Sequence, residues 1–191
     1  LTMSLGLTIR CYLSLIIGDI LNGAMYRIRP YEICTGATDR AMTKCRRHIM
    51  TALEQRKSLL RALRRCRREL RAIEVDRTEV RPRVAIIGEF WAMTTEGDGN
   101  YRLQRFLEQE GAEVDMPSLT AWLLYLVWTL RYDARARMRL KRADNARRGL
   151  KGVNIRNRLL GLWLVEKALI AGHRCCAGLI GSRGHRLPDM D

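Results

Sequence analysis

Residues 83–116, RVAIIGEFWAMTTEGDGNYRLQRFLEQEGAEVDM, constrain the fold more than any other stretch of the chain. Val84 to Ile87 form a short apolar run rich in β-branched residues and closed by Gly88, the pattern of a strand buried on both faces of a parallel sheet. A polar loop follows over residues 89–100. Asp98 or Asn100 is placed to cap a helix whose apolar positions Tyr101, Leu103, Phe106 and Leu107 share one face, and Gly111 ends it before a second strand at 112–116. The expectation is strand, loop, helix, strand. The two strands should be parallel, with the loop at their C-terminal edge, where open α/β sheets place ligands.

That loop carries more chemistry than a connection needs: Glu89, Thr94, Thr95, Glu96, Asp98 and Asn100 beside Phe90, Trp91 and Met93. It is neither a GxGxxG fingerprint nor a Walker loop, and its three carboxylates would repel a phosphate unless a cation intervened. Glu89, directly after the strand, is placed to meet a ligand hydroxyl or orient a neighbour, and Trp91 to wall a flat group. The structural alternative is an acidic loop paired with arginines of the same chain. A second candidate lies at residues 27–39, where Arg27, Arg29, Tyr31 and Glu32 surround Pro30 and precede Thr38 and Asp39. Arginines ahead of a rigid turn can grip a carboxylate or phosphate with forked hydrogen bonds, or bridge to the acidic loop instead.

The words GEFWAMTTEGDGNY and RFLEQEGAEV resemble the 2-hydroxyacyl-CoA dehydratase family, in particular the dehydratase-like modules found with or fused to ATP-dependent CoA-enzyme activases. RIRPYE at 27–32, GATDRA at 36–41 and LPDMD at 187–191 agree with it. The resemblance implies an α/β fold, here a partial Rossmann-like lobe with a short parallel sheet and extensive flanking helices. It also implies a [4Fe-4S] cluster with ligands mostly beyond this chain, and an activase partner or domain that hydrolyses ATP and delivers a low-potential electron. The reaction would be radical elimination of water from a 2-hydroxyacyl-CoA, or a related reduction. On this reading Glu89, Thr94, Thr95 and Glu96 line the reaction cleft, and Arg29, Tyr31, Trp91, Asp98 and Asn100 contact the acyl-CoA-type substrate.

The chain starts at Leu1 and stops just after LPDMD, and is read as an internal fragment of 191 residues. Three segments are expected: a helical one at 1–80, the strand–loop–helix–strand unit at 81–118, and a second helical one at 119–191. Residues 7–25 read as an apolar helix broken near Gly23. Met42, Cys45, Ile49, Ala52, Leu59, Leu63, Cys66, Leu70 and Ile73 alternate by three and four, the stripe of one long helix interrupted only at Arg56. Its apolar side should face the α/β unit or the helix of Trp122, leaving Arg61, Arg64, Arg65 and Arg68 in solvent. A last helix over 154–180 has Leu159, Leu160, Trp163, Leu164 and Leu169 as its apolar side.

Thirty-five basic against 20 acidic residues give a net charge of +15. Such an excess suits nucleic acid, an anionic surface or phosphate-bearing ligands. The arginines concentrate in helical stretches without RNP, zinc-finger or basic–aromatic patterning, so a solvated face is the plainer reading. A non-catalytic basic module binding RNA or a partner protein is the rival function. Six cysteines include no CxxC pair: Cys45 and Cys66 sit on apolar helix positions, Cys175 and Cys176 point apart, and Cys34 alone is a weak candidate ligand. His48, His173 and His185 share no metal-like spacing. The apolar runs at 11–21 and 119–130 are about a dozen residues or fewer, short of the roughly 20 that span a bilayer, and read as core helices. A cytoplasmic protein without membrane or nucleic-acid partners is expected.

Overall fold

The computed structural model describes residues 5–88, 96–139, 154–182 and 187. The chain runs α1 (Leu5–Ile28), α2 (Ala37–Glu54), α3 (Leu59–Arg71), β1 (Arg83–Ala85), α4 (Leu103–Gln109), β2 (Glu113–Asp115), α5 (Leu119–Arg139) and α6 (Ile155–Ile180), with 3-10 turns at Arg29–Tyr31 and Asp98–Asn100. It is mostly helical, with a two-stranded parallel sheet. The register pairs Arg83 with Glu113, Val84 with Val114 and Ala85 with Asp115.

The three-four stripe, expected as one long helix, is a hairpin of two. Arg56 takes a left-handed backbone (φ 50°) and the amide of Lys57 donates to the carbonyl of Ala52 at 2.9 Å, which closes α2 and turns the chain back into α3. The stripe therefore packs against its own other half, and against α1 and α6 rather than the sheet or the Trp122 helix. Cys45 and Cys66, both at 0% exposure, face each other across the hairpin, each thiol donating to the other residue's carbonyl at 3.8 and 3.7 Å. Arg61, Arg64, Arg65 and Arg68 stand in solvent as expected.

Helix α1 is not broken at Gly23. One interior glycine costs a helix about 1 kcal/mol, and the burial of Ala24, Met25 and Tyr26 just beyond it offsets that. Ile16, Ile17, Ile20 and Leu21 make α1 the centre of a core that also takes Leu63 and Leu70 from α3, Leu124 and Val127 from α5, and Leu169 and Ile180 from α6. Gly172 lets α6 come close: a Cβ there would lie 3.4 Å from Cδ1 of Ile16. The face α6 buries is Leu169, His173, Cys176, Ala177 and Ile180, whereas Leu160, Trp163 and Leu164 of the expected apolar side are 44–56% exposed. Cys175 is exposed beside buried Cys176, as their adjacency requires. No helix among the described residues is long and apolar enough to cross a membrane.

Helix α5 starts where Asp19 of α1 receives it. The Asp19 carboxylate accepts hydrogen bonds from the amides of Leu119 (3.1 Å) and Thr120 (2.6 Å) and from the Thr120 hydroxyl, while Ser118 Oγ accepts from the Ala121 amide at 3.0 Å. These bonds occupy donors that a helix N-terminus otherwise leaves open. Asp19→Ala should lower stability by about 1–3 kcal/mol, the cost of stranding such donors, and Asp19→Asn by less, because the amide oxygen still accepts. Urea unfolding of both variants checks this; a loss within about 0.5 kcal/mol for the alanine would contradict it.

Two expectations about the central unit need correction. The first strand is not buried on both faces: only Ile86 is buried, Val84 is half-buried, and Ile87 is 82% exposed, because no further described strand flanks β1. Nor does α4 turn its apolar face inward. Tyr101 is 96%, Phe106 55% and Leu103 37% exposed, while Gln104 is fully buried. Its N-cap is Arg102, without a side-chain cap; Asn100 instead donates from Nδ2 to Gln104 Oε1 at 2.8 Å.

Candidate functional site

The 3-10 turn at Arg29–Tyr31 fixes the site. Pro30 sets the turn, and Glu32 follows it with a carboxylate that accepts from the amides of Gly36 (2.5 Å) and Thr38 (2.7 Å), capping α2 from outside the helix. Gly36 takes φ 81°, which lets the chain turn tightly into α2. Tyr31 donates its hydroxyl to Glu113 Oε2 at 3.0 Å, with the Arg77 guanidinium 4.4 Å from its ring centre, so it ties the turn to β2.

Arg29 turns the other way, its side chain 4% exposed. Its Nε and Nη2 fork onto the Glu108 carboxylate at 2.6 and 2.9 Å. Its Nη1 lies 3.0 Å from Glu96 and 3.6 Å from Asp39, ion pairs without hydrogen-bond alignment. Arg105 completes the group, donating to Asp39 at 2.8 Å and to Glu96 at 3.0 Å. Tyr26 adds its hydroxyl, 3.3 Å from Glu96 Oε2. Two guanidinium groups thus hold three carboxylates.

The protonation balance follows from burial and pairing. Burial pushes Glu108 up against the pull of Arg29. Desolvation works against the Arg29 charge, but the fork to Glu108 together with the charges of Glu108 and Glu96 outweighs it, and the guanidinium stays charged. Tyr26 is pushed up by burial and then by the Glu96 charge, so it stays a neutral donor. Asp39 is held below the usual carboxylate range by its bond from Arg105. A carboxylate with a depressed folded pKa stabilises above its unfolded pKa and loses that contribution as pH falls through the folded one. Asp39→Asn should therefore flatten the low-pH loss of stability, measured as the urea midpoint below about pH 4; an unchanged acid limb would contradict the pairing.

Against this cluster lies a cleft of about 840 Å³. Its lining joins Met25, Asp39, Met42 and Arg46 from the α1–α2 side to Glu96, Tyr101, Arg102, Arg105 and Phe106 from the other. Of the residues expected at the site, Glu96 lines the cleft and Arg29 stands directly behind its carboxylates. Tyr31 and Asn100 do not line it; both bond inward as described above. Glu89, Trp91, Thr94 and Thr95 lie outside the described residues, and of Asp98 only the backbone is described. Arg105, Glu108, Tyr26 and Arg46 were not anticipated. Arg105 and Glu108 stand three apart inside the word RFLEQE, a spacing that places both on one helix face beside Gln104.

Among the described residues no group of three or more His, Cys, Asp or Glu side chains is placed to hold a metal. Cys34 is exposed, 3.4 Å from Nη2 of Arg40. The Cys66 contact and burial push the Cys45 thiol up, and burial pushes Cys176 up to about 11, so neither is a ready thiolate. The described cysteines do not fit a four-iron cluster. No protein-family model, curated protein or solved structure matches the chain.

Proposed function

We propose that the chain is the substrate-holding part of a 2-hydroxyacyl-CoA dehydratase-like protein, a partial Rossmann-like lobe with flanking helices that works in the cytoplasm with an ATP-dependent activase. One observation supports this above the rest. The words that carry the resemblance, separated by up to some 80 positions, meet in one ion cluster: Arg29 from RIRPYE, Asp39 from GATDRA, Glu96 from the TTEGDGN loop, and Arg105 and Glu108 from RFLEQE. Words that shared only a structural history need not converge on a cleft. Iron–sulfur chemistry is assigned to ligands beyond the described cysteines, and no step is routed through this chain's thiols. What its residues do is hold: Arg29 and Arg105 fix the acidic residues, and the cleft receives the anionic thioester.

The test is anaerobic turnover by the intact protein with its activase, ATP, a low-potential reductant and a panel of 2-hydroxyacyl-CoA substrates. ATP-dependent formation of the 2-enoyl-CoA is expected. Iron-loaded protein that converts none of them would overturn the reading. The rival, a basic module that binds RNA, draws on the solvent-facing arginines of α3. It predicts tight binding to unrelated nucleic acids with a steep salt dependence.

A further inference from the structure

The cleft lining divides by chemistry. Met25 and Met42, 3% and 2% exposed, are its apolar floor, and Phe106 and Tyr101 are its aromatic side. Arg46 and Arg102 bring positive charge, and the acidic lining residues Asp39 and Glu96 are already engaged by Arg105. Arg46 has neither an ion pair nor a hydrogen bond among the described residues.

Tyr101 is held in an unusual way. It and Arg102 are consecutive non-glycine residues in the left-handed region, with φ 55° and 57°. Bulky L-residues avoid that backbone, and where they adopt it the surrounding structure has fixed it, often at a ligand site. Here the reward is not packing, since the Tyr101 side chain is almost wholly exposed at the cleft. An uncovered aromatic ring, a second ring, a polarizable methionine floor and arginines form a combined surface for a flat ring joined to phosphate. The volume lies within the roughly 300–1,000 Å³ usual for small-ligand sites.

We propose that this cleft binds a nucleoside phosphate, its ring against Tyr101, Phe106 and the methionine floor and its phosphates at Arg46 and Arg102. This deepens the functional reading, because a CoA thioester carries such a nucleotide at the end remote from its acyl group. It rests on that reading only for which molecule bears the nucleotide.

The test is calorimetric titration of the full chain with ADP, coenzyme A, adenosine and pyrophosphate, without turnover. Saturable one-to-one binding of ADP is expected, with adenosine and pyrophosphate each at least about tenfold weaker. Arg46→Gln should weaken ADP by about tenfold, while Arg61→Gln on the outer face of α3 leaves it unchanged. Tyr101→Gly separates binding from folding: glycine accepts the left-handed backbone, so the thermal midpoint should hold or rise while affinity falls. Tighter binding of coenzyme A than ADP, with the same response to the variants, identifies the nucleotide as the tail of a larger substrate; equal binding identifies a free nucleotide. No saturable ADP binding, pyrophosphate binding as tight as ADP, or an equal loss in Arg61→Gln overturns the proposal. So would tight oligonucleotide binding indifferent to Arg46→Gln. Nucleotide binding without dehydration would sink the dehydratase reading alone, and dehydration without nucleotide binding here would sink this inference alone.

Discussion

Arg29→Ala should be among the most damaging single substitutions in the chain, lowering stability by about 3–5 kcal/mol, because it breaks a buried ion pair and leaves the other charge in place. Glu108 would keep a desolvated carboxylate, and Glu96 and Asp39 would have Arg105 alone. The pH dependence has a definite sign. Burial already raises Glu108, and loss of Arg29 removes the first of the pulls that oppose it. A carboxyl group with a raised folded pKa binds more protons in the folded state, so the variant should lose stability as pH rises from the ordinary glutamate value through that raised pKa. Part of the loss should therefore return on acidification toward pH 4–5, roughly the ordinary glutamate range. Arg29→Lys should fall between wild type and alanine, since an ammonium keeps the charge but cannot make the fork. Urea unfolding at several pH values reads all three; a loss below about 1 kcal/mol for Arg29→Ala would place the cluster among surface pairs of little consequence.

Leu63→Ala should cost about 2–5 kcal/mol, the range for deleting a buried leucine whose surroundings cannot fully collapse. Leu63 is 1% exposed and belongs to the core that α3 shares with α1, α2 and α6. Leu60, one turn away and 52% exposed, is its control, and Leu60→Ala should stay within about 0.5 kcal/mol. Equal costs at the two positions would mean that α3 does not bury the face described here.

The stripe from Met42 to Leu70 was legible because a buried helix face must be apolar whatever it packs against. The break at Arg56 was not, since apolar spacing resumes after the turn and a periodicity cannot say whether its two halves are collinear or folded together. Val84 to Ile87 announced a strand through β-branched residues, and β1 pairs parallel with β2 as that reading required. How deeply it would be buried depends on flanking strands, which a local run of apolar residues does not encode. At the site, the alternative that Arg29 bridges to the acidic loop is the one observed, through Glu96. Arg105 and Glu108 do not stand out in the sequence, because apolar residues alone do not show which face of α4 turns inward. This helix inverts the usual pattern, with Gln104 and Glu108 inward and Leu103 and Phe106 outward: Glu108 meets the Arg29 fork, and Gln104 accepts from Asn100.

Hydrogen–deuterium exchange of the full chain with and without a 2-hydroxyacyl-CoA shows whether the residues brought together from separate sequence words form one ligand-binding cleft. Protection is expected around Met25 and over residues 36–46 and 96–109, which line the cleft. Protection centred instead on residues 59–71, where the solvent-facing arginines of α3 lie, or no change at saturating ligand, would contradict it.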